Sequence, residues 1–87
     1  MELNEVLQRL DRFIRDHFNI PESDPDFDYD VHLFDYGYID SFGAVELTNF
    51  VEEAFLIKIN ESDLIAYPMN TIREISAFIL RRQKGEI

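Results

Sequence analysis

The 87-residue chain has the length of a single domain, predicted over residues 1–87, and its 46% of apolar side chains favours a folded globule over a disordered segment. It contains no cysteine, which excludes disulfide bonds and thiolate metal sites. The net charge is −10, and the stretch between Arg15 and Lys58 holds eleven acidic residues and no basic one, which argues against nucleic-acid binding.

The first predicted element is an amphipathic helix over residues 3–18. Apolar side chains recur there at the spacing of one helix face: Leu3, Val6, Leu7, Leu10, Phe13, Ile14 and Phe18. Pro21 is expected to end this segment, because a proline pushes the residue before it out of the helical region. Residues 19–39 then show no sustained period, and a connection this long inside a small domain tends to be functional. Four apolar side chains are expected to hold it on the core: Val31, Leu33, Phe34 and Ile39.

Three further helices are predicted after this loop. The second helix spans about residues 41–55 with Asp40 as its N-cap, and a short third helix is expected around residues 61–65. Thr71 and Glu74 have the spacing of a capping box, which predicts the start of the last helix. No stretch alternates long enough to form a strand. The predicted fold class is therefore all-α: a small four-helix bundle, three main helices plus a short third one, with a long loop between helices one and two.

Ser41 is the residue that we single out for chemistry. It follows a glycine-bearing loop and opens helix two, where unpaired N–H groups and the positive end of the helix dipole favour a phosphate. Gly37 and Gly43 are both expected to leave room for another molecule to approach the Ser41 hydroxyl. The alternative is that Asp40 and Ser41 simply cap a helix, which is the common use of an Asp-Ser pair.

Helix two is predicted to have a core face and an outer docking face. Six apolar residues fall on the core arc: Ala44, Leu47, Phe50, Val51, Ala54 and Phe55. The predicted partner-docking residues lie on the opposite side: Phe42, Val45, Glu46, Asn49, Glu52 and Glu53. Apolar side chains among carboxylates, close to Ser41, are typical of an interface with an apolar centre and a polar rim. The alternative is that single exposed apolar residues are ordinary on protein surfaces.

A longer motif around Ser41 resembles the attachment motif of the acyl carrier and peptidyl carrier superfamily. The matching residues are Asp35-x-Gly37-x-x-Asp40-Ser41-Phe42 followed by Val45-Glu46-Leu47. With Leu33-Phe34 and Gly43 included, the run is especially similar to the D-alanyl carrier proteins of Gram-positive cell-wall modification. Fatty-acid carriers usually have one residue fewer before the Asp-Ser pair and a leucine in place of Phe42. D-alanyl carriers usually show a tryptophan and a Thr-Pro where this chain has residues 67–71.

The resemblance implies a carrier function and a set of partners. The serine at the position of Ser41 would receive 4′-phosphopantetheine from coenzyme A, with Asp40 beside it as the helix cap. Acyl or aminoacyl groups, D-alanyl among them, would then be held as thioesters on the thiol of that arm. The implied partners are a phosphopantetheinyl transferase, an acyl- or aminoacyl-activating ligase or synthase, and an acyltransferase. The implied setting is lipid or secondary-metabolite biosynthesis, with the chain acting as a substrate of these enzymes and not as an enzyme itself.

Other functions are weaker interpretations of the same sequence. Asp24, Asp26 and Asp28, with Asp35 twelfth in the run, resemble a calcium loop, but Tyr29 stands where that loop needs glycine. No metal site is therefore predicted. Ser41 has no evident histidine partner for catalysis, and the two histidines are expected to be structural or solvated: His17 and His32. An unmodified acidic helical interaction module stays open as an alternative.

The remaining expectations concern location and assembly. No apolar run approaches the roughly 20 residues that cross a bilayer, so no membrane span is predicted. The acidic first residues are unlike a signal peptide. We therefore expect a cytoplasmic monomer.

Overall fold

Four helices and no strand make up the chain, which confirms the all-α prediction. The computed structural model describes residues 1–87, and its helices are α1 (Leu3–His17), α2 (Ser41–Phe55), α3 (Glu61–Ala66) and α4 (Ile72–Gln83). The long loop between α1 and α2 is present as predicted. Helix α1 packs against α4.

Asn19 ends helix α1. The sequence had instead suggested Pro21. Asn19 takes up a left-handed conformation with φ of 57°. The next N–H, of Ile20, donates to the carbonyl of Arg15 over 2.9 Å. This is the hydrogen bond of a Schellman motif, which satisfies a carbonyl that the helix end would otherwise leave free. Helix α1 therefore ends at His17, and the chain has already turned before it reaches the proline.

The core is built from α1, α2, α4 and the long loop. Fourteen buried apolar side chains form one cluster: Val6, Leu7, Leu10, Ile14, Ile20, Phe27, Leu33, Ile39, Leu47, Val51, Phe55, Ile72, Ile75 and Ile79. The predicted loop anchors are confirmed, since Leu33 and Ile39 are buried and Val31 and Phe34 pack against the cluster. The loop adds Phe27, which the sequence pattern did not identify.

One side of the long loop is fastened to the start of α4. The N–H of Leu33 donates to the carbonyl of Asn70 over 2.8 Å, and the N–H of Arg73 donates to the carbonyl of Tyr29 over 3.0 Å. The Arg73 guanidinium also donates to the Asp30 carboxylate, with an Nε–Oδ1 distance of 2.7 Å. This hydrogen bond lowers the pKa of Asp30. The loop is therefore an ordered part of the bundle, because α4 supplies its missing hydrogen-bond partners.

The other side of the loop is fastened to α1 and to itself. The Tyr38 hydroxyl donates to both oxygens of Asp24, at 3.2 and 3.1 Å. Desolvation, with the Asp24 carboxylate beside it, raises the pKa of the Tyr38 phenol. The guanidinium of Arg15 lies over the Phe27 ring at 4.6 Å and donates to the carbonyl of Pro21 over 2.9 Å. Tyr38 therefore ties the segment just before Ser41 to the beginning of the loop.

Helix α3 is joined to α4 through a carboxylate. Asp63 is 7% exposed, and its Oδ2 accepts from the N–H of Asn60 over 2.8 Å. Its Oδ1 accepts from the Arg82 guanidinium over 2.7 Å. The hydrogen bond from Asn60, with Arg82 adding to it, lowers the pKa of Asp63. The short helix α3 is thus held to α4 through the Asp63 carboxylate. The side chain of Ile65, by contrast, is 88% exposed.

The start of α4 differs in one detail from the predicted capping box. The N–H of Glu74 donates to the Thr71 hydroxyl over 3.0 Å, which is the first half of that motif. The Glu74 carboxylate, however, accepts from the N–H of Asn70 over 2.9 Å and not from Thr71 itself. The second half of the box therefore stabilises the turn that precedes the helix.

Candidate functional site

Ser41 is the first residue of α2, and its side chain is exposed. Asp40 caps the helix as predicted, because its Oδ1 accepts from the N–H of Gly43 over 2.8 Å. The Ser41 hydroxyl has no hydrogen-bond partner within the chain, and neither do the N–H groups of Ser41 and Phe42. An accessible hydroxyl beside two free N–H groups at a helix start can hold a phosphate ester.

Gly37 shapes the loop that leads to Ser41. Its φ is 78°, a left-handed conformation that side chains other than glycine rarely adopt. Its N–H donates to the carbonyl of Phe34 over 3.1 Å, and the N–H of Ile39 donates back to Leu33 over 3.1 Å. No atom outside its neighbours lies within 4 Å of the missing side chain. The glycine therefore closes a tight turn and leaves open space on the surface before Ser41.

Gly43 has a different role from the one predicted. It is buried, and a Cβ added to it would lie 2.7 Å from Cε1 of Phe18 and 2.8 Å from Cγ2 of Ile39. The prediction that it leaves room for an approaching molecule is therefore wrong. The side chains of Phe18 and Ile39 fill the space beside Gly43. The end of α1 and the loop can therefore pack tightly under the first turn of α2.

The predicted docking residues on the outer face of α2 differ in their exposure and in their contacts within the chain. Phe42 is 82% exposed and Val45 is 61% exposed, and no core contact accounts for either. Asn49 and Glu53 are also exposed. Glu52 is half-buried, and its Oε2 accepts from the N–H of Ile59 over 2.8 Å. The carboxylate of Glu52 thus holds the connection between α2 and α3.

Glu46, the sixth predicted docking residue, is paired within the chain. Its Oε2 lies 2.9 Å from Nε2 of His17, the last residue of α1. The two residues are 29 positions apart, so no local pattern indicated the contact. The acidic rim beside Ser41 therefore includes a carboxylate that already has a partner.

A cavity of about 370 Å³ lies between α2, α3 and the start of α4. Nine of its twelve lining residues are apolar, among them Val45 and Leu47 of α2, Leu64 of α3 and Met69 before α4. Asn49 also lines it, so the cavity reaches the outer face of α2. The sequence did not predict this cavity, because its walls come from separate elements whose relative placement no pattern specifies.

The acidic loop is used for hydrogen bonds within the fold. Asp24 accepts from Tyr38 and from the N–H of Asp26, and Asp28 accepts from the N–H of Asp30. Nowhere in the chain do three or more His, Asp or Glu side chains gather in a way that could hold a metal ion. The run that resembles a calcium loop therefore does not converge on a common centre.

Neither histidine is placed as a base for Ser41. His17 pairs with Glu46, as described above. Nδ1 of His32 accepts from the N–H of Asp35 over 3.0 Å, which caps the turn before Gly37. An activated serine needs a base within hydrogen-bond reach, and the Ser41 hydroxyl has none in this chain.

Comparison with protein families agrees with this geometry. The model of the phosphopantetheine attachment site family matches residues 8–79, which include all of α2 and α3 and most of α1 and α4. The chain belongs to this family. It is thus a carrier protein whose cofactor is covalently bound 4′-phosphopantetheine, and carriers of this kind work with a phosphopantetheinyl transferase and with synthetic enzymes. No curated protein matches the chain. None of the carrier's helices has the length and apolar character needed to cross a bilayer.

Proposed function

We propose that this carrier holds 4′-phosphopantetheine on Ser41 and presents acyl groups, as thioesters, to enzymes that dock on the outer face of α2. The observation that supports Ser41 most is its free hydroxyl at the start of α2, beside two N–H groups without partners. In the transfer, the Ser41 Oγ bonds to the β-phosphorus of coenzyme A and the bond to 3′,5′-adenosine diphosphate breaks. The hydroxyl proton goes to a base of the transferase, since the chain offers none.

The fit of the arm to this place follows from the residues around Ser41. The two free N–H groups and the helix dipole stabilise the phosphodiester charge. The open space around Gly37 and the exposed ring of Phe42 leave the hydroxyl accessible from outside. The arm supplies a thiol, which the chain lacks because it has no cysteine.

Intact-mass measurement tests the attachment site. The full chain is incubated with coenzyme A and a promiscuous phosphopantetheinyl transferase, and it should gain one phosphopantetheine. The Ser41→Ala variant should gain none, while Ser62→Ala, which removes another exposed helix-start serine, should be modified like the wild type. Circular dichroism checks that each variant is folded. Modification of Ser41→Ala would refute the site. An unmodified wild-type chain would instead favour the plain interaction module.

The apolar cavity beside α2 supports an acyl cargo over a small aminoacyl one. Its walls are mostly hydrocarbon, and burying a methylene group there stabilises by about 0.8 kcal/mol. A D-alanyl group would place a charged ammonium against these walls and is expected to stay outside. Thermal unfolding of the arm-bearing carrier compares the two cargoes: an octanoyl thioester should raise Tm above that of the D-alanyl thioester. Equal Tm values would show that the cavity does not favour the octanoyl cargo over the D-alanyl cargo.

The outer face of α2 is proposed as the docking surface for basic partners. Reversing Glu46 and Glu53 to Lys should slow modification by the transferase about tenfold at low salt, because complementary charge raises association rates. The matched control reverses Glu2 and Glu5, two exposed carboxylates at the start of α1, which changes the net charge equally. If both double variants are slowed alike, net charge alone is responsible and the surface assignment fails.

A further inference from the structure

His17 lies where it can control the charge of the docking surface. It ends α1, and its Nε2 is 2.9 Å from the Glu46 carboxylate on α2. Its side chain is 39% exposed and that of Glu46 is 54% exposed, so both remain accessible to a partner protein. Glu46 stands one helical turn after Phe42 and next to Val45, the two apolar residues beside Ser41.

The imidazole ring is held in place by aromatic neighbours. It stacks on Phe13 with a centroid distance of 4.9 Å and an angle of 16° between the planes, and it meets the edge of Phe18 at 4.9 Å. Phe13 in turn stacks on Phe50 of α2 at 3.9 Å. The nitrogen that faces Glu46 is therefore presented by a ring that Phe13 and Phe18 hold at the end of α1, so His17 loses little side-chain freedom when it binds Glu46.

The charged groups near His17 lie on α1 and α2. Glu46 is the one carboxylate within 4.0 Å of its nitrogens. Along the last turn of α1, Asp16 precedes it and Arg15 is paired with Asp11. The C-terminal end of a helix also carries a partial negative charge, which attracts an imidazolium. Histidine is the side chain that ordinarily changes charge between pH 5 and 8.

We infer that His17 is an internal competitor for Glu46, so that a basic side chain of a phosphopantetheinyl transferase must displace it to dock. When His17 is protonated it neutralises Glu46, and when it is neutral it only donates a hydrogen bond. A protonated His17 therefore competes with the basic partner for Glu46 more strongly than a neutral one does. This inference rests on the proposed docking function of α2. It adds the end of α1 to the surface that determines the affinity for the transferase.

The His17→Phe variant isolates this effect. A phenyl ring keeps the stacking on Phe13 but removes the group that binds Glu46. The dissociation constant of the apo carrier for the transferase is measured for wild type and variant at pH 6 and at pH 8. At each pH the constant of the wild type is divided by that of the variant, which removes any effect of pH on the transferase itself. At pH 6 the variant should bind about two- to fivefold more tightly, the size expected for a partly exposed ion pair, and at pH 8 the ratio should fall toward one.

Two matched variants separate this role from a structural one. His32→Asn changes the chain's other histidine and keeps an acceptor for Asp35, so it should leave the pH dependence of docking unchanged. In a Glu46→Gln background, His17→Phe should have no effect on the dissociation constant, because the competed carboxylate is gone. A ratio of one at both pH values, or a gain that persists without Glu46, would overturn the inference. Either result leaves the proposed function intact as long as the wild-type chain still gains its phosphopantetheine mass.

Discussion

Replacing Gly43 by alanine tests the packing beneath the first turn of α2. The added Cβ would lie 2.7 Å from Phe18 and 2.8 Å from Ile39, whereas ordinary contacts are 3.4–4 Å. Inserting one carbon into a filled space costs about 1–3 kcal/mol. The better helix propensity of alanine offsets up to about 1 kcal/mol of this cost. We therefore expect a net loss of about 1–2 kcal/mol in the free energy of unfolding.

Urea and thermal unfolding followed by circular dichroism measure this loss. For a domain of this length, it corresponds to a fall in Tm of roughly 5–15 °C. A double-mutant cycle with Phe18→Leu assigns the cause, because leucine lacks the ring carbons that the new Cβ would meet. In that background the cost of Gly43→Ala should fall by about half, with the contact to Ile39 accounting for the remainder. A Gly43→Ala variant as stable as the wild type would refute the close approach of α1 to this turn.

Two further predictions concern stability. Leu56 follows α2 in a left-handed conformation, with φ of 57°, and its side chain is 89% exposed. Leu56→Gly should therefore raise the free energy of unfolding by about 0.5–1 kcal/mol. Leu56→Ala keeps the backbone strain and should not raise it. Asp63 has a lowered pKa in the folded state, so its stabilising contribution is complete above the ordinary aspartate pKa of about 3.9 and is lost as the pH falls below it. The wild type should exceed Asp63→Asn in urea midpoint at pH 7, and the difference should narrow steadily as the pH is lowered below the ordinary aspartate pKa toward the folded-state pKa of Asp63. A difference that stays constant would contradict the role of the carboxylate charge.

The parts of the fold with strong local signals were predictable from the sequence. The bounds of α2 follow from Asp40, whose side chain can cap a helix, and from the apolar arc that continues to Phe55. Leu33 and Ile39 could be recognised as loop anchors because they are aliphatic residues in a segment rich in acidic side chains. The family was also predictable, since the motif that carries the resemblance has local spacing.

The features that sequence reasoning missed depend on contacts between distant segments. The end of α1 at Asn19 was missed because a left-handed asparagine competes with the more visible signal of Pro21. The role of Gly43 was misassigned because only the packed structure shows that Phe18 fills the space beside it. The pairing of His17 with Glu46 spans 29 residues and has no periodic signature.

The fastening of the long loop to α4 has a consequence for the order of events during synthesis. The Asp30–Arg73 pair joins residues 43 positions apart, so it can form only after both segments have been synthesised. The ribosome releases the segment around Ser41 well before Asn70 and Arg73, so a nascent chain lacks the contacts that hold the loop. The serine therefore reaches its final setting only after the start of α4 has emerged. An enzyme that required the folded loop would act on the chain only after that point.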